Sequence, residues 1–97
     1  MHKTKIQNPP AEIRYPRQGE VVDNPYYTIQ VAAPEAEAVE VSIDFGDWQP
    51  CREALGLWWY DWSGYAATEH HLRARMRDRG GSVVVTPVRE FDVKLPY

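Results

Sequence analysis

Apolar and polar side chains alternate along several stretches of this chain. The alternation runs through four segments, which are residues 26–32, 39–44, 72–77 and 91–95. In the first of them Tyr27, Ile29 and Val31 fall on one face, and polar side chains fall on the other. A period of two is typical of a β-strand with one buried and one exposed face. Because each such strand must bury its apolar face, the pattern predicts two sheets packed against each other.

Turn-forming residues separate these segments at intervals of roughly ten residues. Pro25, Gly46, Gly64 and the pair Gly80–Gly81 stand at the breaks, and Pro87 interrupts the last segment. The pattern predicts an all-β fold, an antiparallel β-sandwich of about seven strands. Its predicted core consists of Ile29, Val31, Val41, Ile43, Trp58, Tyr60, Trp62, Leu72, Ala74, Phe91 and Val93.

Residues 69–78 also suit a short helix, because leucine, arginine, alanine and methionine are good helix formers. Their strict alternation and the glycine pair that follows them favour a strand that closes a hairpin. The opening residues 1–10 are polar, end in two prolines and show neither period. We therefore expect a flexible tail over residues 1–10 and one sandwich domain over residues 11–97.

The composition limits the partners and the chemistry that this chain can have. It has 97 residues, a formal net charge of −3 and a single cysteine, Cys51. A chain of this length supports one core, and its mild negative charge argues against nucleic acid as the main partner. No apolar run is long enough to cross a bilayer, so we expect no membrane partner. The first residues lack the apolar stretch of a secretory signal, so we expect either a cytoplasmic location or a segment of a longer or processed chain.

Several stretches together resemble a known group of domains. Residues 39–44 read Val-Glu-Val-Ser-Ile-Asp and are followed by Trp48, by the aromatic residues 58–62 and by Arg-Met-Arg-Asp at 75–78. This order resembles the early-set immunoglobulin-like domains of bacterial proteins, and most of all the C-terminal dimerisation domain of the sulfite oxidase family. The resemblance implies an immunoglobulin-like β-sandwich that serves as a spacer, a dimerisation module or a sugar-binding accessory. The molybdenum-binding part of that family is missing, so the resemblance implies no redox activity and no cofactor.

A tryptophan-rich stretch divides between the two faces of its predicted strand. Trp58, Tyr60 and Trp62 share one face, and Trp59 and Asp61 share the other. Because a carboxylate is costly to bury without a partner, we expect the face with Asp61 to lie outside. Trp59 then lies on the outer face, where it packs against a neighbouring loop, anchors an interface or stacks on a sugar ring.

Charged side chains form two rows on the predicted outer surface. The basic row consists of Arg73, Arg75 and Arg77, and the acidic, polar row of Glu40, Ser42 and Asp44. If the two rows lie on neighbouring strands, they pair across the sheet, and each pair contributes roughly 0.2–1 kcal/mol. Otherwise the basic row is free to bind an acidic protein or an anionic sugar. Adjacent His70 and His71 point to opposite faces of a strand, so we expect no metal site and one histidine near the core edge.

Two classes of function remain open. The first is a non-catalytic protein-interaction or assembly module that uses Trp59 and exposed sheet edges to bind another protein or a second copy. The alternative is a carbohydrate-binding accessory module, in which Trp59, Trp48 and Tyr65 stack on sugar rings. Sugar-binding modules usually belong to exported chains, and neither a signal nor a disulfide is predicted here, which favours the first class. The candidate interaction residues are Trp48, Trp59, Asp61, Tyr65, Arg73 and Arg75. We predict no catalytic residue, because Cys51 has no base beside it in sequence and no spacing sets two acids across a cleft.

Overall fold

The computed structural model describes residues 9–95. The tail that we predict over residues 1–10 therefore falls almost wholly outside the described residues, and the division into tail and domain stays a prediction. The strands are β1 (Glu12–Tyr15), β2 (Val21–Val22), β3 (Tyr26–Ala32), β4 (Ala36–Ile43), β5 (Gln49–Pro50), β6 (Arg52–Ala54), β7 (Leu57–Ser63), β8 (Glu69–Asp78), β9 (Val83–Val85) and β10 (Arg89–Val93). No helix within residues 9–95 is long and apolar enough to span a membrane.

Two sheets form the fold, as the alternation predicts. The first sheet has the order β1-β3-β7-β6, and the second has the order β2-β10-β8-β4-β5 with β9 also paired to β8. All pairings are antiparallel except that of β2 with β10, which is parallel. The predicted all-β sandwich is confirmed, and residues 69–78 form strand β8 rather than a helix.

Interrupted strands explain why the structure has ten short strands where we predicted about seven. β1 and β2 are joined through residues 16–20 and belong to different sheets, so the chain changes sheet at this kink. The chain changes sheet again at Cys51, because β5 belongs to the second sheet and β6 to the first. β9 and β10 share β8 as their partner and are separated by residues 86–88, which contain the predicted break at Pro87. Proline has no backbone donor, so it is found where a ladder is interrupted.

The core lies between the two sheets and largely matches the predicted set. Ile43 and Tyr60 are the exceptions, because both are only half-buried. Ile43 is the last residue of β4, and a tyrosine ring commonly keeps its hydroxyl in contact with water. The structure adds buried residues that we did not predict, among them Ile13, Val22, Val39 and Met76.

Candidate functional site

The tryptophans of β7 divide between the two faces as predicted. Trp58 and Trp62 are only 8% and 9% exposed, whereas Asp61 is exposed and Trp59 is half-buried. The Trp62 ring stacks on Tyr65 at a centroid distance of 3.9 Å and meets Phe91 edge to face at 5.6 Å. Such pairs are worth about 0.5–1.5 kcal/mol beyond the area they bury. Trp58 and Trp62 are therefore structural residues.

Trp59 lies on the outer face of the first sheet, between β3 and β6. Its backbone is opposite Gln30 on one side and Arg52 on the other. The indole Nε1 donates a hydrogen bond of 2.8 Å to the carbonyl of Ala54, which holds the ring against the β6–β7 hairpin. On the same face Asp61 accepts a bond of 3.1 Å from the Thr28 hydroxyl. A fixed aromatic ring surrounded by polar side chains can serve as the anchor of a contact.

Asp61 also pairs with Arg52, at 3.4 Å between Nη1 and Oδ2. Both side chains are largely exposed, so the pair contributes little to stability. We call the outer surface formed by Thr28, Gln30, Arg52, Trp59 and Asp61 the Trp59 face.

The basic and acidic rows lie on neighbouring strands, β8 and β4. Arg75 Nε donates to Glu40 Oε1 at 2.7 Å, and Arg77 pairs with Glu37 at 3.6 Å. Arg73 lies opposite Ser42, whose hydroxyl donates to the carbonyl of Gly46. We predicted Ser42 on the outer surface, but this side chain is fully buried. The predicted pairing of Arg75 with an acid on the neighbouring strand is confirmed, and the basic row is largely neutralised within the sheet.

Aromatic rings contact two arginines of the basic row, Arg73 and Arg75. The Arg73 guanidinium lies over the rings of Phe45 and Trp48, at 5.3 and 5.0 Å from their centroids. The Arg75 guanidinium lies over Trp48 at 4.4 Å. The attraction of a cation to an aromatic face is worth about 0.5–1 kcal/mol at exposed sites. The contacts fasten the β4–β5 turn to β8, and they occupy the ring of Trp48.

Asp44 turns away from the arginines and binds the two histidines instead. Its carboxylate accepts a bond from the backbone N–H of His71 at 2.9 Å and lies 2.7 Å from Nδ1 of the buried His70. Nε2 of His70 lies 2.8 Å from the carbonyl of Ala66, so both ring nitrogens are occupied. Within residues 9–95 no three histidine, cysteine or acidic side chains are grouped as a metal site requires.

The position of Asp44 explains why we wrongly placed its side chain in the outward row. Its φ of 53° is the left-handed turn conformation, which rotates the side chain out of the strand pattern. Aspartate tolerates this conformation better than most residues. The sequence indicates the turn only through Gly46, two residues after Asp44.

Burial raises the pKa values of two further candidate residues, Cys51 and Tyr65. Burial, followed by the nearby Glu40 carboxylate, raises the pKa of the Cys51 thiol to about 12. Burial also raises the pKa of Tyr65, whose hydroxyl donates to the carbonyl of Asn24. Because the thiolate is the reactive form of cysteine, a thiol with this pKa is a poor nucleophile at neutral pH.

The predicted interaction residues occupy three separate places. Trp59 and Asp61 lie on the outer face of the first sheet, and Arg73 and Arg75, with Trp48 against them, lie on the outer face of the second. Tyr65 follows β7 and stacks on the core. The structure therefore does not bring the three proposed sugar-stacking rings together on one surface.

Arg89 is a structural side chain that the sequence reasoning missed. It shares the inward parity of Phe91 and Val93 on β10, and its Nη1 donates to the carbonyls of Ile13 and Pro16 at 2.9 and 2.8 Å. The guanidinium thus ties the second sheet to the segment where β1 leaves the first. The sequence did contain a signal for this role, because Arg89 alternates with the predicted core residues Phe91 and Val93 on the same face of the strand.

Comparisons with known proteins identify the fold. No protein-family model matches the chain, and no curated protein sequence matches it. The fold is similar to the fibronectin(III)-like modules of Clostridium thermocellum CbhA, with a TM-score of 0.68 at 17% identity, covering 90% of this chain and 99% of that one.

Two endo-β-1,4-mannanases contain a similar region. The enzyme from Thermotoga petrophila matches with a TM-score of 0.74 at 12% identity, over 95% of this chain and 21% of its own. The modular enzyme from Cellulomonas fimi matches with a TM-score of 0.67 at 20% identity, over 87% of this chain and 18% of its own. This chain thus spans about a fifth of each mannanase chain. The finer resemblance to the sulfite oxidase dimerisation domain is not confirmed; the chain has the fold of fibronectin(III)-like and immunoglobulin-like β-sandwich modules.

Proposed function

We propose that this domain is a non-catalytic accessory module that acts by binding protein. The observation that carries the proposal is the extent of the structural likeness. The fold covers 99% of a fibronectin(III)-like module but only 21% and 18% of the two mannanase chains. A fold of this size that recurs as one part of larger chains is typical of modules that position or connect other domains.

The chemistry of the polar side chains supports a non-catalytic role. General acid–base catalysis needs a group with a free lone pair or proton facing a cleft. Both ring nitrogens of His70 are occupied, and Asp61 lies on an open sheet face beside Arg52. The raised pKa of Cys51 keeps its thiol protonated at neutral pH. These groups are engaged in local structure rather than collected around a substrate.

The state of the aromatic rings favours protein over sugar as the partner. A sugar platform needs several open, coplanar rings, but Trp48 lies under two guanidiniums and Tyr65 stacks on Trp62. Trp59 remains as a single ring on a face that also carries Arg52 and Asp61. An aromatic anchor with a polar rim is the usual composition of a protein interface.

Carbohydrate binding is the second candidate. The observation in its favour is that two of the similar structures are endo-β-1,4-mannanases, which act on a polysaccharide. In that case the Trp59 ring would be the stacking surface.

The two candidates are separated by titration with manno- and cello-oligosaccharides while tryptophan fluorescence is recorded. We expect no saturable change, and no release of reducing ends from β-1,4-mannan. Tyr26→Ala is the matched control for Trp59→Ala, because Tyr26 is an exposed aromatic residue on the same outer face. A saturable change that is abolished by Trp59→Ala but kept by Tyr26→Ala would establish sugar binding in place of protein binding. Hydrolysis that is lost in Asp61→Asn would overturn the non-catalytic assignment.

A further inference from the structure

Strand β9 and the residues after it expose an unusual amount of apolar surface. Val83, Val85 and Val88 are 57%, 48% and 40% exposed, and they lie within six consecutive residues. The side chains of Val83 and Val85 project from the outer face of the second sheet, beside Arg77 and Arg75 of β8. Exposed apolar residues are ordinary when scattered, but a contiguous group marks an interaction site.

The outer edge of β9 also presents backbone groups that pair with no other strand of residues 9–95. The N–H of Thr86 donates to the carbonyl of Ala74 at 2.8 Å, and the N–H of Asp78 donates to the carbonyl of Ser82 at 3.0 Å. In an antiparallel pair, alternate residues bond to the partner strand. Ser82, Val84 and Thr86 therefore face β8, and the N–H and C=O groups of Val83 and Val85 face away from it. Within residues 9–95 no strand pairs with this outer side of β9.

This edge lacks the features that usually prevent strands from pairing between molecules. Such edges commonly carry lysine, other charges, proline or a bulge. The edge strand β6 contains Arg52 and Glu53, and β5 contains Pro50. β9 consists of three valines and contains neither a charge nor a proline. Valine is among the residues that favour strands most, so the edge is well suited to pairing.

We propose that β9 pairs antiparallel with β9 of a second copy of this chain, joining the second sheets of the two copies into one continuous sheet. The proposal goes beyond the proposed function, because it assigns a self-pairing edge to the second sheet in addition to the Trp59 face on the first. With Val84 at the two-fold axis, Val83 lies opposite Val85 of the other copy, and the outward backbone groups of both residues are satisfied. The same register gathers the exposed valine side chains of both copies on one face.

The neighbouring charges are compatible with this pairing. Arg75 and Arg77 of β8 lie beside the valines of β9. They are already paired with Glu40 and Glu37 of β4. Joining two β9 edges therefore brings together apolar side chains without burying an unpaired cation. Strands of three residues bury much less than the roughly 1,600 Å² of a standard interface, so we expect weak association, with a Kd on the order of 10⁻⁴ M.

Sedimentation equilibrium between about 10 μM and 1 mM tests the pairing, since this range brackets that Kd. We expect the mass of the unaltered chain to rise towards that of a dimer, and the double variant Val83→Lys/Val85→Lys to stay monomeric. Val21→Lys is the control, because Val21 is 51% exposed on another edge strand and undergoes the same substitution at one position. If the lysine variant does not fold, Val83→Thr/Val85→Thr keeps the strand propensity while removing the apolar contact.

Amide exchange at Val83 and Val85 is the second measurement. The pairing predicts that protection of these two amides increases with protein concentration. A chain that stays monomeric through the range, or a dimer that persists in the double variants, would overturn it. Protection that is independent of concentration would show that the edge is covered within one chain, and would overturn it too. None of these results affects the proposed accessory role, which fails on hydrolysis or sugar binding instead.

Discussion

The side chain of Cys51 lies where the chain crosses from the second sheet to the first. Its backbone N–H donates to the carbonyl of Val39 at 2.9 Å, so the crossing is fixed to β4. The thiol is half-buried close to Glu40, and its pKa is raised by burial and by that carboxylate. Its position therefore makes this cysteine a packing residue with low reactivity.

Alkylation measures that reactivity directly. Because the pKa of Cys51 is raised to about 12, its thiolate fraction at pH 8 falls by ~1,000-fold relative to an ordinary thiol. We expect iodoacetamide to label the folded protein far more slowly than the urea-unfolded protein, with mass spectrometry as the readout. Equal labelling rates in the two states would show that the thiol is not protected.

The same shift has a consequence for stability at high pH. Burial and Glu40 raise the pKa of Cys51 to about 12, and burial and Glu20 raise the pKa of Tyr27 well above its ordinary value. The folded state therefore holds these protons more tightly than the unfolded state. Their contribution is fully present below about pH 9 and is lost as pH rises towards the folded pKa values. Urea unfolding at pH 8 and pH 10.5 should show a lower midpoint at the higher pH.

A matched comparison isolates the two groups. The double variant Cys51→Ser/Tyr27→Phe removes both titrations, so its urea midpoint should fall less between the two pH values. An identical fall in the variant would assign the alkaline loss to other residues.

Pairs of elements are held together by contacts of unequal strength. The Arg77–Glu37 pair joins exposed side chains of β8 and β4, whereas Arg89 reaches from β10 to two backbone carbonyls in the segment between β1 and β2. Hydrogen bonds from a charged donor to partly buried carbonyls contribute more than surface ion pairs. Arg89 therefore has the larger structural role, because it fixes the point where the chain changes sheet.

Replacement of these arginines by alanine tests that ranking. We expect Arg89→Ala to lower the free energy of unfolding by about 2 kcal/mol, because it leaves the carbonyls of Ile13 and Pro16 without their donor. Arg77→Ala is the matched control, since its pair with Glu37 is long and exposed, and should cost less than about 0.5 kcal/mol. Equal losses in urea unfolding would contradict the distinction.

For the molecule as a whole, the feature best predicted from the sequence was which side chains of each strand face the core and which face outward. The faces of β3, β7 and β8 were predictable because period-two alternation depends on one buried face. Asp44 was not predictable in this way, since a turn with positive φ removes its side chain from the alternation. The separation of Trp48, Trp59 and Tyr65 depends on which sheet each strand joins, and no local pattern contains that information.

Equilibrium unfolding in denaturant of Trp59→Ala and Trp62→Ala tests the central claim, that one strand supplies core packing on its inner face and a display surface on its outer face. We expect Trp62→Ala to lose about 3–5 kcal/mol, because its ring is 9% exposed and packs on Tyr65 and Phe91. Trp59→Ala should lose only about 1 kcal/mol, mainly through the bond to Ala54. If Trp59→Ala unfolds the domain while Trp62→Ala leaves it stable, the assignment of inner and outer faces is wrong, and the proposed interaction surface is wrong with it.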